Sequence, residues 1–150
     1  MPCEGWLVYF QLGSMKHQLL AFAAILVSTT IASAANEVPL SKEHDQCIDK
    51  SGGSDFAMIE CYGAEYPRQD RRLNNAYRKL LARVSKAKAD ELRKVQRAWL
   101  AYVDAECNFL YDNEEFSGTA DRLSASACNV TERAKRASDL EGFLFQLGEK

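Results

Sequence analysis

The stretch Asp90–Leu110, DELRKVQRAWLAYVDAECNFL, limits the possible folds more than any other part of the chain. Leu92, Val95, Trp99, Tyr102 and Leu110 recur at steps of three and four or their sums. A helix with one apolar face has that period, and a strand does not. Lys94, Arg97, Asp104 and Asn108 fall off this face, while Cys107 sits near its end. A long amphipathic helix of this kind must bury its stripe against other elements, so the expected architecture is built from packed helices.

The region before the domain reads as a leader. Met15–Ala35, MKHQLLAFAAILVSTTIASAA, has a basic start at Lys16, an apolar run over Leu19–Ile31 and small residues at Ala32-Ser33-Ala34. That is the pattern of a cleaved signal peptide, with cleavage expected near Ala34. The run is shorter than the roughly 20 residues of a membrane span, and Ser28, Thr29 and Thr30 break it. Residues 1–14 precede this signal and are expected to be an upstream extension, with Met15 the true start. The remainder, 35–150, is sized for one domain without a membrane span. Removing the leader takes away Glu4 and Lys16, one charge of each sign, and leaves the net charge at −2. A nucleic-acid binder would carry a basic footprint instead.

Without Cys3 of the extension, four cysteines remain: Cys47, Cys61, Cys107 and Cys128. An even set in an exported chain reads as two disulfides. Four cysteines allow three pairings, and sequence alone does not choose among them. The favoured pairing is Cys47–Cys61 and Cys107–Cys128, because each closes one local excursion. Metal binding is not expected: the spacing is not that of a zinc site, and His44 is the one histidine after the leader. No cysteine follows the cleavage site, so no lipid anchor is expected there.

Along the chain, Asn36–Gln46 reads as an extended arm containing Pro39. Ser51–Ser54 is a turn, and Asp55 caps a short helix over Phe56–Glu65 with Phe56, Met58, Ile59 and Tyr62 inward. Gly63 and Pro67 interrupt or bend it, since proline lacks the donor that a continuing helix needs. A second helix follows over Pro67–Ala87, with Leu73, Tyr77, Leu80, Leu81 and Val84 as its stripe. Lys86–Ala89 is a short break and Asp90 caps the helix that follows, making these two helices antiparallel neighbours. An acidic loop over Tyr111–Asp121 leads to a last helix, Arg122–Leu147, striped by Ala127, Val130, Ala134, Ala137, Leu140, Leu144 and Leu147. The fold class is all-α: a small bundle of three to four helices with two disulfides.

No catalytic constellation is evident. A nucleophile–histidine pair would have to use His44, which on this reading is a solvated side chain in the arm. The carboxylate pairs Glu114-Glu115 and Asp104 with Glu106 do not converge as glycoside hydrolysis requires. There is no phosphate-cradling glycine loop. The expected protein is not an enzyme and takes no cofactor or metal.

Three runs carry a family resemblance. They are Cys61 with Asp70-x-x-Leu73-Asn74-x-x-Tyr77; Gln96-Arg97-Ala98-Trp99-Leu100-x-Tyr102-x-Asp104-x-x-Cys107; and Cys128-x-x-Thr131 with Arg133 or Arg136 behind it. Together, over about Cys47–Leu140, they resemble the LprI-like lysozyme-inhibitor N-terminal family, a group of exported helical bacterial domains. The resemblance implies a periplasmic or secreted protein with a protein partner, a lysozyme-type muramidase among the candidates. The shared residues Asp70, Leu73, Asn74, Tyr77, Gln96, Trp99, Tyr102, Asp104, Thr131 and Arg133 read as packing residues. Their polar groups are expected to bond across the interface of the two neighbouring helices, with Asp104 paired to Arg133 or Arg136.

Two functions follow. As an inhibitor, the chain would present Tyr111, Asp112, Glu114, Glu115 and Phe116 on a loop pinned by Cys107 and Cys128, acidic toward a basic lysozyme. As a structural or adaptor module of the cell envelope, it would instead use an apolar patch around Phe143, Phe145 and Leu147, which are denser than one stripe can bury.

Overall fold

The computed structural model describes Val38 and residues 40–111 and 114–148. The expected leader, Pro39 and Asp112 lie outside these described residues. Four helices are present among them: α1 (Lys42–Lys50), α2 (Asp55–Arg83), α3 (Lys86–Phe109) and α4 (Thr119–Gln146), with no strand. The chain is an all-α bundle, and both disulfides form in the favoured pairing, Cys47–Cys61 and Cys107–Cys128, each with Cα atoms 5.6 Å apart.

Helix α1 stands where an extended arm was expected. Ser41 caps it, its hydroxyl accepting from the His44 N–H at 3.1 Å. Glu43 and Asp45 lie in the first turn and Lys50 in the last, each on the favourable side of the helix dipole. Gly52 and Gly53, at φ 60° and 80°, then turn the chain through the left-handed region toward α2. His44 is not solvated, as the sequence suggested; it is buried, with its ring 4.7 Å from that of Tyr62. The arm reading failed because α1 owes its order to α2, through a disulfide and a buried carboxylate that no local period reveals.

That carboxylate is Glu65, which has no solvent exposure. It accepts from Ser41 N–H at 2.8 Å, Ser41 Oγ at 2.6 Å, Gln69 Nε2 at 2.7 Å and Arg68 Nη1 at 3.1 Å. Burial pushes its acidity down, but the bonds from Ser41, Gln69 and Arg68 outweigh burial and hold its pKa below the ordinary value.

Helix α2 is continuous from Asp55 to Arg83, so the expected break at Gly63 and Pro67 does not occur. Proline inside a helix costs about 3 kcal/mol, chiefly through a lost hydrogen bond and a clash with the carbonyl one turn earlier. Here that earlier residue is Gly63, and both positions face solvent, where water can serve the released carbonyl. The inward side is meanwhile pinned by Cys61 and Glu65. Phe56, expected inside, is 65 % exposed.

The next break is Val84–Ser85, not Lys86–Ala89, and Ser85 rather than Asp90 caps α3, accepting from Lys88 N–H at 3.3 Å. The buried face of α3 also differs in phase from the expected stripe. Ala89, Gln96, Val103 and Cys107 are buried, with Leu92 and Trp99 partly so, while Val95 and Tyr102 are more than half exposed.

Residue pairings fix the topology. Asp55 meets Thr119, Asp70 meets Arg133 and Arg72 meets Glu141, so α2 and α4 run parallel. Gln96 meets Arg136 and Cys107 meets Cys128, so α3 runs antiparallel to α4. Helix α1 lies antiparallel on the first half of α2. The most extensive packing joins α2 to α4, with Leu73, Ala76 and Leu80 against Ala137, Leu140 and Leu144, and with Leu92 and Trp99 of α3 closing that cluster. The central element is therefore α4 rather than α3. Ala134 and Ala137 have no exposure, so the α4 backbone approaches its neighbours closely. Helix α4 begins at Thr119, earlier than expected, because Asp121 accepts from Gly118 N–H at 3.0 Å.

Candidate functional site

Two places in the bundle gather the residues that the sequence singled out. The first is a cleft of about 350 Å³ where α2, α3 and α4 meet. Asp70, Leu73, Asn74 and Tyr77 of α2, Gln96 and Trp99 of α3 and Arg133 of α4 all line it. Seven of the ten shared residues thus converge on one concavity. Asp70, Leu73, Asn74 and Tyr77 share a side of α2 because they are spaced by three or four. Tyr102, Asp104 and Thr131 do not join them. Tyr102 is 54 % exposed, and the Thr131 hydroxyl donates to the Ala127 carbonyl of its own helix at 2.8 Å.

The hydrogen bonding differs from the expected pattern. Asn74 Nδ2 donates to Asp70 Oδ2 at 2.8 Å within α2, not across to α3. Asp104 accepts from Asn108 at 3.2 Å and pairs with neither arginine. Arg133 is 3.7 Å from Asp70, donates to the Asn129 carbonyl at 2.9 Å and lies over the Tyr66 ring at 4.3 Å. Arg136 Nε donates to Gln96 Oε1 at 3.0 Å, so Gln96 is an α3 side chain that hydrogen-bonds across to α4. Long cations of α4 reach laterally to α2 and α3, so the short carboxylate Asp104 finds a partner one turn along its own helix instead.

The same cleft contains Arg97, which falls off the apolar face in the sequence, and two residues that the sequence did not single out as a site. Arg93, Arg97 and Leu100 line its α3 side. Arg93 is held by Asp90 at 2.7 Å, whereas Arg97 is exposed and has no hydrogen-bond or ion-pair partner among the described residues. The spacing of Arg93, Arg97 and Leu100 by four and three was the available signal, since it sets them on one side of α3 beside Gln96.

The second place is the end of the bundle where α3 joins α4. Cys107 is 1 % exposed and bonded to Cys128, so the connection is pinned on both sides. Glu114, Glu115 and Phe116 are exposed. The Phe116 ring meets that of Phe109 in a tilted contact at 5.7 Å, and Phe109 is itself 65 % exposed. Tyr111 is half-buried with the Arg122 guanidinium 5.9 Å from its ring. Asp55 accepts from Thr119 at 2.9 Å, which sets the start of α2, with exposed Phe56, at this same end. Acidic side chains and aromatic rings are therefore presented together.

At the opposite end Leu144 is buried, whereas Phe143, Phe145 and Leu147 are 48 %, 70 % and 49 % exposed. Phe143 and Leu147 line a mostly apolar groove of about 420 Å³ with Leu80, Val84, Leu92 and Val95.

No curated protein and no solved structure shows significant similarity to the chain. The profile of the family described as lysozyme inhibitor LprI, however, matches residues 47–140, from the first disulfide cysteine to Leu140 of the central cluster. The chain belongs to the LprI lysozyme inhibitor family.

Proposed function

We propose that the protein is exported, with residues 15–34 removed as a signal peptide, and that the domain left is a non-enzymatic inhibitor of a lysozyme-type muramidase. The family match over residues 47–140 carries this reading. Two disulfides suit an oxidising compartment outside the cytoplasm. Inhibition asks for no chemistry in the inhibitor, only a surface that blocks a cleft. The acidic, aromatic end around Tyr111, Glu114, Glu115 and Phe116 suits that role. Its charge attracts a basic enzyme, and the Cys107–Cys128 bridge limits the freedom lost on binding. The test is lysis of a peptidoglycan suspension by several lysozyme types, with and without the oxidised protein. Dose-dependent protection is expected; no protection from any type would remove the inhibitor reading.

The exposed Phe143, Phe145 and Leu147 favour one alternative, an envelope interaction module without a muramidase partner. Polar substitutions at Phe143 or Phe145 would then abolish its association, while changes at Glu114 and Glu115 would not.

A further inference from the structure

The cleft among α2, α3 and α4 has a charge balance opposite to that of the whole protein. Three guanidinium groups, from Arg93, Arg97 and Arg133, face it against the single carboxylate of Asp70, whereas the chain as a whole is at −2. Arg133 is occupied, fixed by Asp70, Asn129 and the Tyr66 ring. Arg93 is held only by an exposed bridge to Asp90 one turn away, the kind of pair that contributes little and is readily exchanged. Arg97 has no partner among the described residues. Half-buried Tyr77 and Trp99 supply an apolar wall beside these cations. Aromatic walls with a few convergent polar groups, in a cavity of this size, are the usual make-up of a small-ligand site.

We propose that this cleft binds a peptide carboxylate, gripped by Arg97 and Arg93, with the adjoining residue of the peptide packed on Trp99 and Tyr77. The planar guanidinium matches a carboxylate in two parallel hydrogen bonds. Arg93 and Arg97 supply two guanidinium groups without a strong partner, enough to match the two oxygens of one carboxylate. One Asn74 amide hydrogen is used on Asp70 and the Gln96 oxygen on Arg136, which leaves the guanidinium groups as the strongest donors toward a ligand. The site is distinct from the acidic end assigned to muramidase binding and stands whether or not that assignment holds.

The experiment is a titration of the oxidised protein followed by the Trp99 indole and Arg97 side-chain N–H signals in proton–nitrogen correlation spectra. The probes are acetyl-Ala-Ala with a free carboxylate, the same peptide amidated, acetyl-Glu methylamide and inorganic phosphate. Saturable shifts at the Trp99 and Arg97 signals with either carboxylate probe, and none with the amidated peptide, are expected. The better of acetyl-Ala-Ala and acetyl-Glu methylamide tells a C-terminus from an acidic side chain. Arg97→Gln, a change at an exposed position, should weaken binding at least tenfold with the remaining spectrum unchanged, and Arg97→Lys should recover only part of it. Equal response to the amidated peptide, tighter binding of phosphate, absence of saturation with both carboxylates, or indifference to Arg97→Gln would each overturn the proposal.

Discussion

Glu65, inside α2, accepts both the backbone N–H and the hydroxyl of Ser41, the residue that caps α1. One carboxylate with no solvent exposure thus fastens a second helix to the first, and the Ser41 hydroxyl that it orients also caps that helix at His44. Removing one partner of a buried charged hydrogen bond costs more than the bond itself contributes, because the other partner is left desolvated. Glu65→Ala is therefore expected to destabilise by on the order of 3 kcal/mol, and Ser41→Ala by about half that. Urea unfolding followed by circular dichroism measures both. A Glu65→Ala protein as stable as the parent would show that α1 docks by the disulfide alone.

The same group makes stability depend on pH. Hydrogen bonds from Ser41, Gln69 and Arg68 hold the Glu65 pKa below its ordinary value in the folded state despite burial. Its contribution is complete above the unfolded pKa of about 4.3 and is lost as pH falls through the lower folded value. The stability gap between the parent and Glu65→Gln should be constant from neutral pH to about 5 and should narrow at more acidic pH. A gap independent of pH down to 2 would contradict this assignment.

The two bridges close loops with sequence separations of 14 and 21, and each is expected to add about 3 kcal/mol through the unfolded chain. Their functional effects should differ. Cys47→Ser with Cys61→Ser loosens α1 and should leave muramidase inhibition intact at temperatures where the bundle is folded. Cys107→Ser with Cys128→Ser releases the α3–α4 connection and should weaken inhibition as well as stability. Paired thermal melts and lysis assays on the two double variants separate the outcomes; equal inhibitory loss in both would detach the activity from the acidic end.

These relationships also mark what the sequence could disclose. The stripes through Leu73 and Leu80 and through Ala134, Ala137 and Leu140 were legible because each repeats at helical spacing with little competing pattern. The continuity of α2 through Pro67 was not, because the contacts that sustain it come from Ser41 and Cys47 on another element. The phase of α3 misled because Trp99 and Tyr102 both look like anchors, yet Tyr102 faces out and Ala89 and Gln96 face in. Of the cleft, Asp70, Asn74, Tyr77, Gln96, Trp99 and Arg133 could be picked out as a pattern, but not their convergence. Arg97 was hidden because an exposed arginine on a helix resembles any solvated charge until a neighbouring helix makes the other wall.

His44 gives a further test, since neither ring nitrogen has a hydrogen-bond partner among the described residues, the Asp45 carboxylate lying 3.6 Å from Nδ1, although the residue is 6 % exposed. A buried polar group left unsatisfied carries its desolvation cost, and an apolar replacement of similar shape removes that cost. His44→Leu is expected to match or exceed the parent in thermal midpoint, while His44→Ala should lose about 1–2 kcal/mol through the space left beside Tyr62. A large loss in the leucine variant would mean that a water or side chain serves the imidazole.

The assignment of the inhibitory surface stands or falls on the α3–α4 connection. Glu114 and Glu115 are exposed beside the paired rings of Phe109 and Phe116, so charge would steer encounter and the rings would supply contact area. Glu114→Gln with Glu115→Gln should slow association with a basic lysozyme severalfold, and the parent's own association rate should fall as salt shortens the range of its charges. Phe116→Ala should act differently, raising the dissociation rate about tenfold with little effect on association, because it removes contact rather than long-range attraction. Surface-bound lysozyme and a flow of each variant, with helicity checked in parallel, measure both rates. If the charge-neutralised variant binds as fast as the parent at low salt and Phe116→Ala dissociates no faster, this end of the bundle is not the surface that meets the enzyme.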